Sequence, residues 1–367
     1  MSRKLLSFTA IGLILGSTAI ADVPKVAVDI APVHSLVSRV MEGVGSPKLI
    51  IPAGASPHEY SLRPSEAKSL QDADMVIWMG EDLAPWMENS IETLSKNAEV
   101  ITLLEESDTK LLDFREGALF EEHDHGDHDD HDDHDDHDKD HDGHGDHDDH
   151  EDHDHDKDHD DHDDHDDHDH DKDHDDHDDH DDHDDHDDHG DHDGHAHGEH
   201  DPHAWLSIEN AQTWLNLVAG KLSAADPDNA GVYFANAAAA REEINDLVKE
   251  VNSILEPVRG RNFVVFHDAY QYFETSFDFP AAGAISLGDA TDPSAARIAE
   301  IQDRVKDEGI NCVLSEPQYN ANLVATVLSG TDAKTGVIDP LGLGLEPGSK
   351  LYGDLIRNMA KALAGCL

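Results

Sequence analysis

Four side chains outside a repetitive tract have the chemistry to bind a divalent metal ion. The chain has 31 histidines, and all but four of them lie between positions 123 and 200; the four others are His34, His58, His203 and His267. The last three each lie beside a proline or at the end of an apolar segment. With the carboxylate of Asp339 they would supply three nitrogen ligands and one oxygen ligand, a set that suits zinc.

Each of these residues also has a simpler interpretation. A single histidine is more often packed or capping than a ligand, and the shared position of the three beside a proline or strand end is what favours ligation. His34 lies at a predicted helix start, where packing or capping is the better interpretation. Asp339 precedes a proline, so its carboxylate can point into a cleft or simply belong to an Asp-Pro turn. Glu316 is predicted to accept a hydrogen bond from a ligand rather than to be one.

Predicted strands alternate with predicted helices in both halves of the chain. The strands are expected at 24–30, 48–51, 75–79, 100–103, 263–266, 284–287, 312–314 and 337–338. This alternation is typical of parallel α/β sheets, whose functional loops follow the carboxyl ends of strands. We therefore expect an α/β fold of two lobes, each a mainly parallel sheet flanked by helices, with the candidate ligands on the same side of both sheets.

A long helix is predicted between the two lobes. Asp226 and Pro227 open it, and Pro257 and Gly260 close it. At 1.5 Å per residue such a helix is about 40 Å long, the span of a whole lobe, and would be a rigid link. The expected divisions are an N-terminal lobe at 22–120 that is completed at 201–225, the linking helix at 226–257 and a C-terminal lobe at 258–367.

The segment 121–200 consists mostly of the repeated tripeptide His-Asp-Asp. It holds 43 of the 83 acidic residues of a chain whose net charge is −58. It lacks the apolar residues that would offset the entropy of ordering, so we expect a disordered insertion. Its imidazoles can collect zinc weakly, although a solvated acidic spacer is the alternative. The auxiliary sites are expected at His123, His125, His128, His195, His197 and His200.

No basic stripe is present in the sequence, which argues against nucleic acid as a partner.

The first 21 residues have the pattern of a secretory signal peptide. Arg3 and Lys4 precede a short apolar run, and Ala19-Ile20-Ala21 is a small-x-small cleavage pattern. The apolar run is too short for a membrane anchor. We therefore expect an exported, soluble protein in a bacterial periplasm. In that oxidising compartment, Cys312 and Cys366 are more readily explained as one structural disulfide, tying the last helix to a strand, than as a metal site or a nucleophile.

Five motifs in the same order resemble one family, the high-affinity zinc uptake ABC transporter periplasmic substrate-binding proteins of the cluster A-I metal-binding family. The motifs are Gly-Ala-Ser-Pro-His-Glu-Tyr-Ser-Leu-Arg-Pro-Ser at 54–65, Asp-Pro-His-Ala-Trp-Leu at 201–206, Val-Phe-His-Asp-Ala-Tyr at 265–270, Ser-Glu-Pro-Gln at 315–318 and Asp-Pro-Leu-Gly at 339–342. They cover essentially the whole mature chain outside the tract, and five such motifs in one order are far more specific than any one.

The resemblance implies a carrier rather than an enzyme. His58, His203 and His267 correspond to the family's three histidine ligands, and Asp339 to its carboxylate, in a cleft between two lobes. The implied cargo is Zn²⁺, the implied partner an ABC permease at the inner membrane, and the expected state a monomer. Manganese-binding relatives have Glu in place of the third histidine, so His267 favours zinc.

The resemblance also implies a disulfide at the two cysteines and an acidic, histidine-rich insertion, which is unusually long here. Two other functions remain. In a periplasmic zinc store or buffer the tract would be the main binder. A zinc hydrolase would need an open coordination position and a base such as Glu316, and the chain has no His-Glu-x-x-His helix.

Overall fold

The structure is a computed structural model that describes residues 23–52, 54–115, 120, 200–286, 294–307, 309–318 and 321–367. The predicted signal peptide and the predicted disordered tract up to residue 199 lie outside the described residues, and so do the auxiliary sites other than His200. Within the described ranges, no helix combines the length and the apolar character that crossing a membrane requires.

The first half of the chain forms a parallel four-stranded sheet flanked by helices. Its elements are β1 (Val26–Val28), α1 (Ala31–Val40), β2 (Lys48–Leu49), α2 (Pro64–Gln71), β3 (Met75–Trp78), α3 (Pro85–Leu94) and β4 (Glu99–Thr102). The strand order is β2-β1-β3-β4. The central strands β1 and β3 are fully buried, as expected for a parallel sheet covered on both faces. Helix α1 begins three residues before the predicted start, because Pro32 suits the first turn of a helix.

Two long helices follow the insertion. Helix α4 (Ile208–Ala225) begins where the Ser207 hydroxyl accepts a hydrogen bond from the backbone N–H of Asn210 at 3.2 Å. Helix α5 (Ala230–Leu255) occupies most of the predicted linking segment 226–257, and short 3₁₀ turns flank it. Its buried residues recur every three or four positions, at Tyr233, Ala237, Ala240, Ile244, Leu247, Val251 and Leu255. This apolar face packs α5 against α1 and α4 along its length.

The second half of the chain forms another parallel four-stranded sheet. Its elements are β5 (Phe263–His267), α6 (Gln271–Phe277), β6 (Gly283–Ser286), α7 (Ala295–Asp307), β7 (Cys312–Ser315), α8 (Ala321–Val327), β8 (Lys334–Val337) and α9 (Leu351–Cys366). The strand order is β6-β5-β7-β8. The strand predicted at 337–338 lies earlier, because β8 pairs with β7 from Cys312↔Lys334 to Ser315↔Val337.

The predicted architecture of two parallel sheets with flanking helices is confirmed. One hydrophobic cluster includes residues of both sheets together with α4, α5 and α9, so the two halves share a core. A smaller cluster, around Val264, Ile285 and Ile301, lies beneath the second sheet. The predicted disulfide is also confirmed, since Cys312 in β7 is bonded to Cys366 in α9 with a Cα–Cα distance of 5.7 Å.

Candidate metal-binding site

His58, His203 and His267 meet between the two sheets. His58 lies in the loop between β2 and α2, His203 comes just before the 3₁₀ turn Ala204–Leu206, and His267 is the last residue of β5. The ring centroids of His58 and His203 are 5.6 Å apart, and those of His203 and His267 are 5.3 Å apart. A tetrahedral zinc ion about 2.1 Å from each nitrogen would separate ligand ring centroids by about 5.2 Å. The two observed distances are therefore close to the spacing that neighbouring ligands of one ion would have.

Buried carboxylates orient two of the three imidazoles. Asp201 Oδ1 lies 2.7 Å from Nδ1 of His203, and Glu316 Oε1 lies 2.5 Å from Nδ1 of His267. None of these four side chains is more than 5% exposed. When Nδ1 carries the proton that it donates to a carboxylate, the lone pair of the ring is on Nε2, the usual arrangement in histidine ligands. Glu316 therefore lies within hydrogen-bond distance of the His267 ring.

Asp201 has the same role for His203 and was not predicted. Its Oδ1 also accepts the backbone N–H of His203 at 2.9 Å, so the carboxylate holds both the ring and the main chain. The signal for this contact was present in the sequence, because an acidic residue two positions before a histidine can reach its ring across a proline turn.

The three rings line a small cavity with apolar walls. Its volume is about 20 Å³, and Pro57, Trp205 and Leu341 form part of its lining. The Trp205 indole N–H donates to the carbonyl of Pro340 at 2.9 Å, which fixes the ring beside His203. A space of this size holds an ion or a single water molecule.

Asp339 lies next to this cavity, and its carboxylate accepts hydrogen bonds from the backbone of the turn that follows it. Its Oδ1 accepts the backbone N–H groups of Leu341 and Gly342, each at 3.0 Å, and its Oδ2 accepts that of Leu343 at 2.5 Å. From this segment of the chain, the two residues that follow Asp339, Pro340 and Leu341, line the cavity. The carboxylate therefore shapes the turn that forms one wall of the cavity.

The three imidazoles lie near one another, but their present positions do not form a complete metal site. In the part of the chain that the structure describes, no group of three or more His, Cys, Asp or Glu side chains already has the geometry to hold one ion. Of the three histidines, His58 is the least constrained, because it is half-buried on a loop whereas His203 and His267 are buried.

The structure also describes His34 and His200. His34 is 8% exposed within α1, with Nε2 3.3 Å from the carbonyl oxygen of Pro47 and Nδ1 3.4 Å from the Ser38 hydroxyl. Burial lowers the pKa of His34, and the ring is packed, as the sequence predicted. His200 pairs with Asp113 at 2.8 Å, and the two residues form an antiparallel bridge.

Comparison with known proteins gives the family. The family described as "ZnuA: Zinc-uptake complex component A periplasmic" matches residues 26–366. The chain belongs to this family. The ZnuA protein of Paracoccus denitrificans, a "High-affinity zinc uptake system protein", is 44% identical over 96% of this chain and 95% of its own length. The one from Brucella abortus (strain 2308) is 42% identical over 96% and 94%.

The fold also agrees with a solved ZnuA structure. A crystal structure of a ZnuA deletion mutant with zinc bound has a TM-score of 0.63 and covers 94% of this chain and 98% of that one. At 17% identity, this likeness shows the fold alone. Membership of the ZnuA family makes the chain a periplasmic component of a zinc-uptake system and not an enzyme. The hydrolase alternative is therefore wrong.

Proposed function

We propose that the protein captures Zn²⁺ through His58, His203 and His267 and, as a monomer, delivers the ion to an ABC permease at the inner membrane. The observation that supports this most strongly is the pair of buried carboxylates behind two imidazoles. Each carboxylate fixes a ring and raises the basicity of the nitrogen on its far side, as it does in histidine metal sites.

The donor set and the cavity support zinc as the cargo. Three imidazole nitrogens suit a borderline ion such as Zn²⁺, whereas Mn²⁺ prefers oxygen-rich sites. The cavity of about 20 Å³ fits a single ion. The names of the ZnuA relatives agree with this choice, since each is a zinc uptake protein.

Asp339 is proposed as the fourth ligand, through Oδ2. A carboxylate oxygen has two lone pairs. Oδ1 of Asp339 is occupied by two backbone N–H groups, while Oδ2 accepts the one from Leu343. The second lone pair of Oδ2 would complete a tetrahedral set, and the alternative is a water molecule in that position. Glu316 is a poorer candidate because it already accepts from His267.

The first experiment measures zinc affinity by competition with a chromophoric chelator. We expect His58→Ala, His203→Ala and His267→Ala each to lose the tightest site, because each removes one nitrogen ligand. His34→Ala is the matched control, since His34 is a buried histidine that contacts Pro47 and Ser38 instead. Retention of the tight site in the His203 and His267 variants would exclude the proposed ligand set.

The insertion is proposed to capture further ions and to raise their concentration near the cleft. Imidazoles among carboxylates bind zinc with adaptable geometry, so each site is weak, and protons compete for it as the pH falls. We expect deletion of 123–199 to lower the number of zinc ions bound while the tightest site remains. Unchanged stoichiometry would indicate a solvated spacer instead.

Delivery is tested in cells that depend on high-affinity uptake. We expect the three histidine variants to fail to support growth in zinc-depleted medium, and the His34 control to support it. If the protein were instead a store in which the insertion is the main binder, those variants would grow normally and the deletion of 123–199 would not.

A further inference from the structure

A buried ion-pair cluster forms around Arg115, in the segment that precedes the insertion. We call the segment 112–115, with its hydrogen-bonded partner 200–201, the base of the insertion. The guanidinium of Arg115 donates from Nε to both carboxylate oxygens of Asp268 at 3.0 Å. It also donates to Glu274, from one terminal nitrogen to Oε2 at 2.7 Å and from the other to Oε1 at 3.1 Å. Arg115 is 15% exposed and both carboxylates are 5% exposed. We call Arg115, Asp268 and Glu274 the base cluster.

The cluster is poorly explained as a source of stability. Two buried carboxylates, those of Asp268 and Glu274, share the guanidinium of Arg115 as a single compensating cation. Buried ion pairs often stabilise a fold no better than apolar residues of similar volume. Such a cluster does fix geometry, because a planar guanidinium in a fork can hold two carboxylates in one arrangement.

The base cluster is connected to His267 through the backbone of the neighbouring residue, Asp268. Asp268 directly follows His267 at the end of β5, and the backbone N–H of Ala269 closes a tight turn onto the His267 carbonyl at 2.9 Å. Because Arg115 holds the Asp268 side chain, it also restrains the main chain from which the His267 ring projects. Glu274 anchors the same guanidinium to α6 and accepts the backbone N–H of Ala281 at 3.0 Å.

The base cluster is connected to His203 through hydrogen bonds between the segment that carries Arg115 and Asp201. The segment that carries Arg115 is hydrogen-bonded to the returning arm of the chain, where the backbone N–H of Asp201 donates to the Leu112 carbonyl at 2.8 Å. The Tyr272 hydroxyl of α6 accepts from the Leu112 N–H and donates to the Asp201 carbonyl, both at 2.9 Å. Asp201 in turn holds Nδ1 of His203.

We propose that Arg115 is a positioning residue for the metal site, which holds the base of the insertion against β5 and α6 and thereby fixes His203 and His267 relative to each other. This inference rests on the proposed function, because it assigns Arg115 to the same zinc site. The effect of Arg115 is transmitted by Asp268 on one side and by the segment that carries Asp201 on the other.

The test compares Arg115→Met with Arg357→Met in the full chain. Arg357 is a matched control, because it also pairs with two carboxylates, Glu250 at 2.8 Å and Asp354 at 2.7 Å. Unlike Arg115, it lies on α9. For each variant, zinc affinity is measured by chelator competition, and the visible absorption of bound Co²⁺ reports the geometry of the ligand set. Thermal unfolding without metal records stability separately.

We expect Arg115→Met to bind Zn²⁺ about tenfold more weakly, as for other outer partners of metal ligands, and to change the Co²⁺ spectrum. Arg357→Met should change neither. Lower thermal stability with unchanged Zn²⁺ affinity and an unchanged Co²⁺ spectrum would show that Arg115 is only structural and would overturn the proposal.

Arg115→Lys provides the answer if the Met variant does not fold. Lysine keeps the charge but lacks the planar fork, so we expect an intermediate loss of affinity, and wild-type affinity would contradict the proposal. His267→Ala separates the two levels of inference. If that variant keeps tight zinc binding, the proposed function is wrong; if it loses tight binding while Arg115→Met keeps it, only the role of Arg115 is wrong.

Discussion

Replacing Glu316 by glutamine should weaken zinc binding without unfolding the protein. The Glu316 carboxylate is 1% exposed and lies 2.5 Å from Nδ1 of His267. Glutamine has nearly the same shape, and its carbonyl oxygen can still accept the Nδ1 proton. The substitution therefore keeps the orientation of the ring and removes mainly the negative charge behind it.

The size of the effect follows from the distance between that charge and the ion. One imidazole separates them, so Oε1 lies about 6 Å from the ion, and a divalent and a monovalent charge at that distance interact by about 5 kcal/mol at an effective dielectric constant of about 20. Losses measured for outer partners of histidine ligands are smaller, about 10- to 100-fold or about 1.4–2.8 kcal/mol, because water and nearby dipoles compensate. We expect about tenfold for Glu316→Gln and about a hundredfold for Glu316→Ala, which also releases the ring.

The assay is chelator competition at fixed pH and ionic strength, with thermal unfolding of the metal-free protein as a check on the fold. Glu243→Gln is the matched control, because Glu243 is an exposed carboxylate on α5 that pairs with Arg39 at 2.8 Å. The reasoning is refuted if Glu316→Gln folds normally and binds Zn²⁺ as tightly as the Glu243 control.

Three further predictions concern stability and motion. Replacing both Cys312 and Cys366 by alanine should lower the unfolding free energy by about 4 kcal/mol, since the bond spans 54 residues; an unchanged denaturation midpoint would contradict this. Burial raises the pKa of Asp29 to about 7, so its contribution to stability is present below about pH 4 and is lost as the pH rises to 7. Relative to the unaltered protein, Asp29→Asn should gain stability over that interval in pH-dependent unfolding, and a constant difference would count against it. Metal-free and zinc-loaded crystal structures should differ mainly in the loop at 54–60, and a wide rotation of the two halves would rule this out.

The sequence predicts the sheets well because their signals are local. Apolar runs of four or five residues followed by polar turns mark β3 and β5, and both are fully buried. Strand β8 was misplaced because Val337 and Ile338 have strong β propensity, whereas the pairing with β7 is determined by backbone register. Local preference identifies that a strand exists, and only its neighbour determines where it starts.

In the candidate site, too, the sequence identified what depends on neighbouring residues and missed contacts between distant ones. The three imidazoles were identified from their types and their neighbours in sequence. The base cluster was not, because Arg115 is 153 positions from Asp268 and 159 from Glu274, and no local pattern joins them. The hydrogen bonds of Asp339 were missed for another reason: an Asp-Pro pair predicts a turn without showing which backbone N–H groups the carboxylate accepts.

The three proposed histidine ligands differ in how firmly they are held, and this indicates how a tightly bound ion can leave. His203 and His267 are buried and each is hydrogen-bonded to a buried carboxylate. His58 is only half-buried, and its loop begins at Gly54, which has a φ of +90°. A Cβ at Gly54 would lie 2.3 Å from Leu343, so the loop packs closely on the turn that Asp339 holds together. Moving this loop would remove one nitrogen ligand while the other two stay fixed. A permease that contacts the loop could therefore lower the affinity for zinc without separating the two halves around α5, whose apolar face is packed along its whole length.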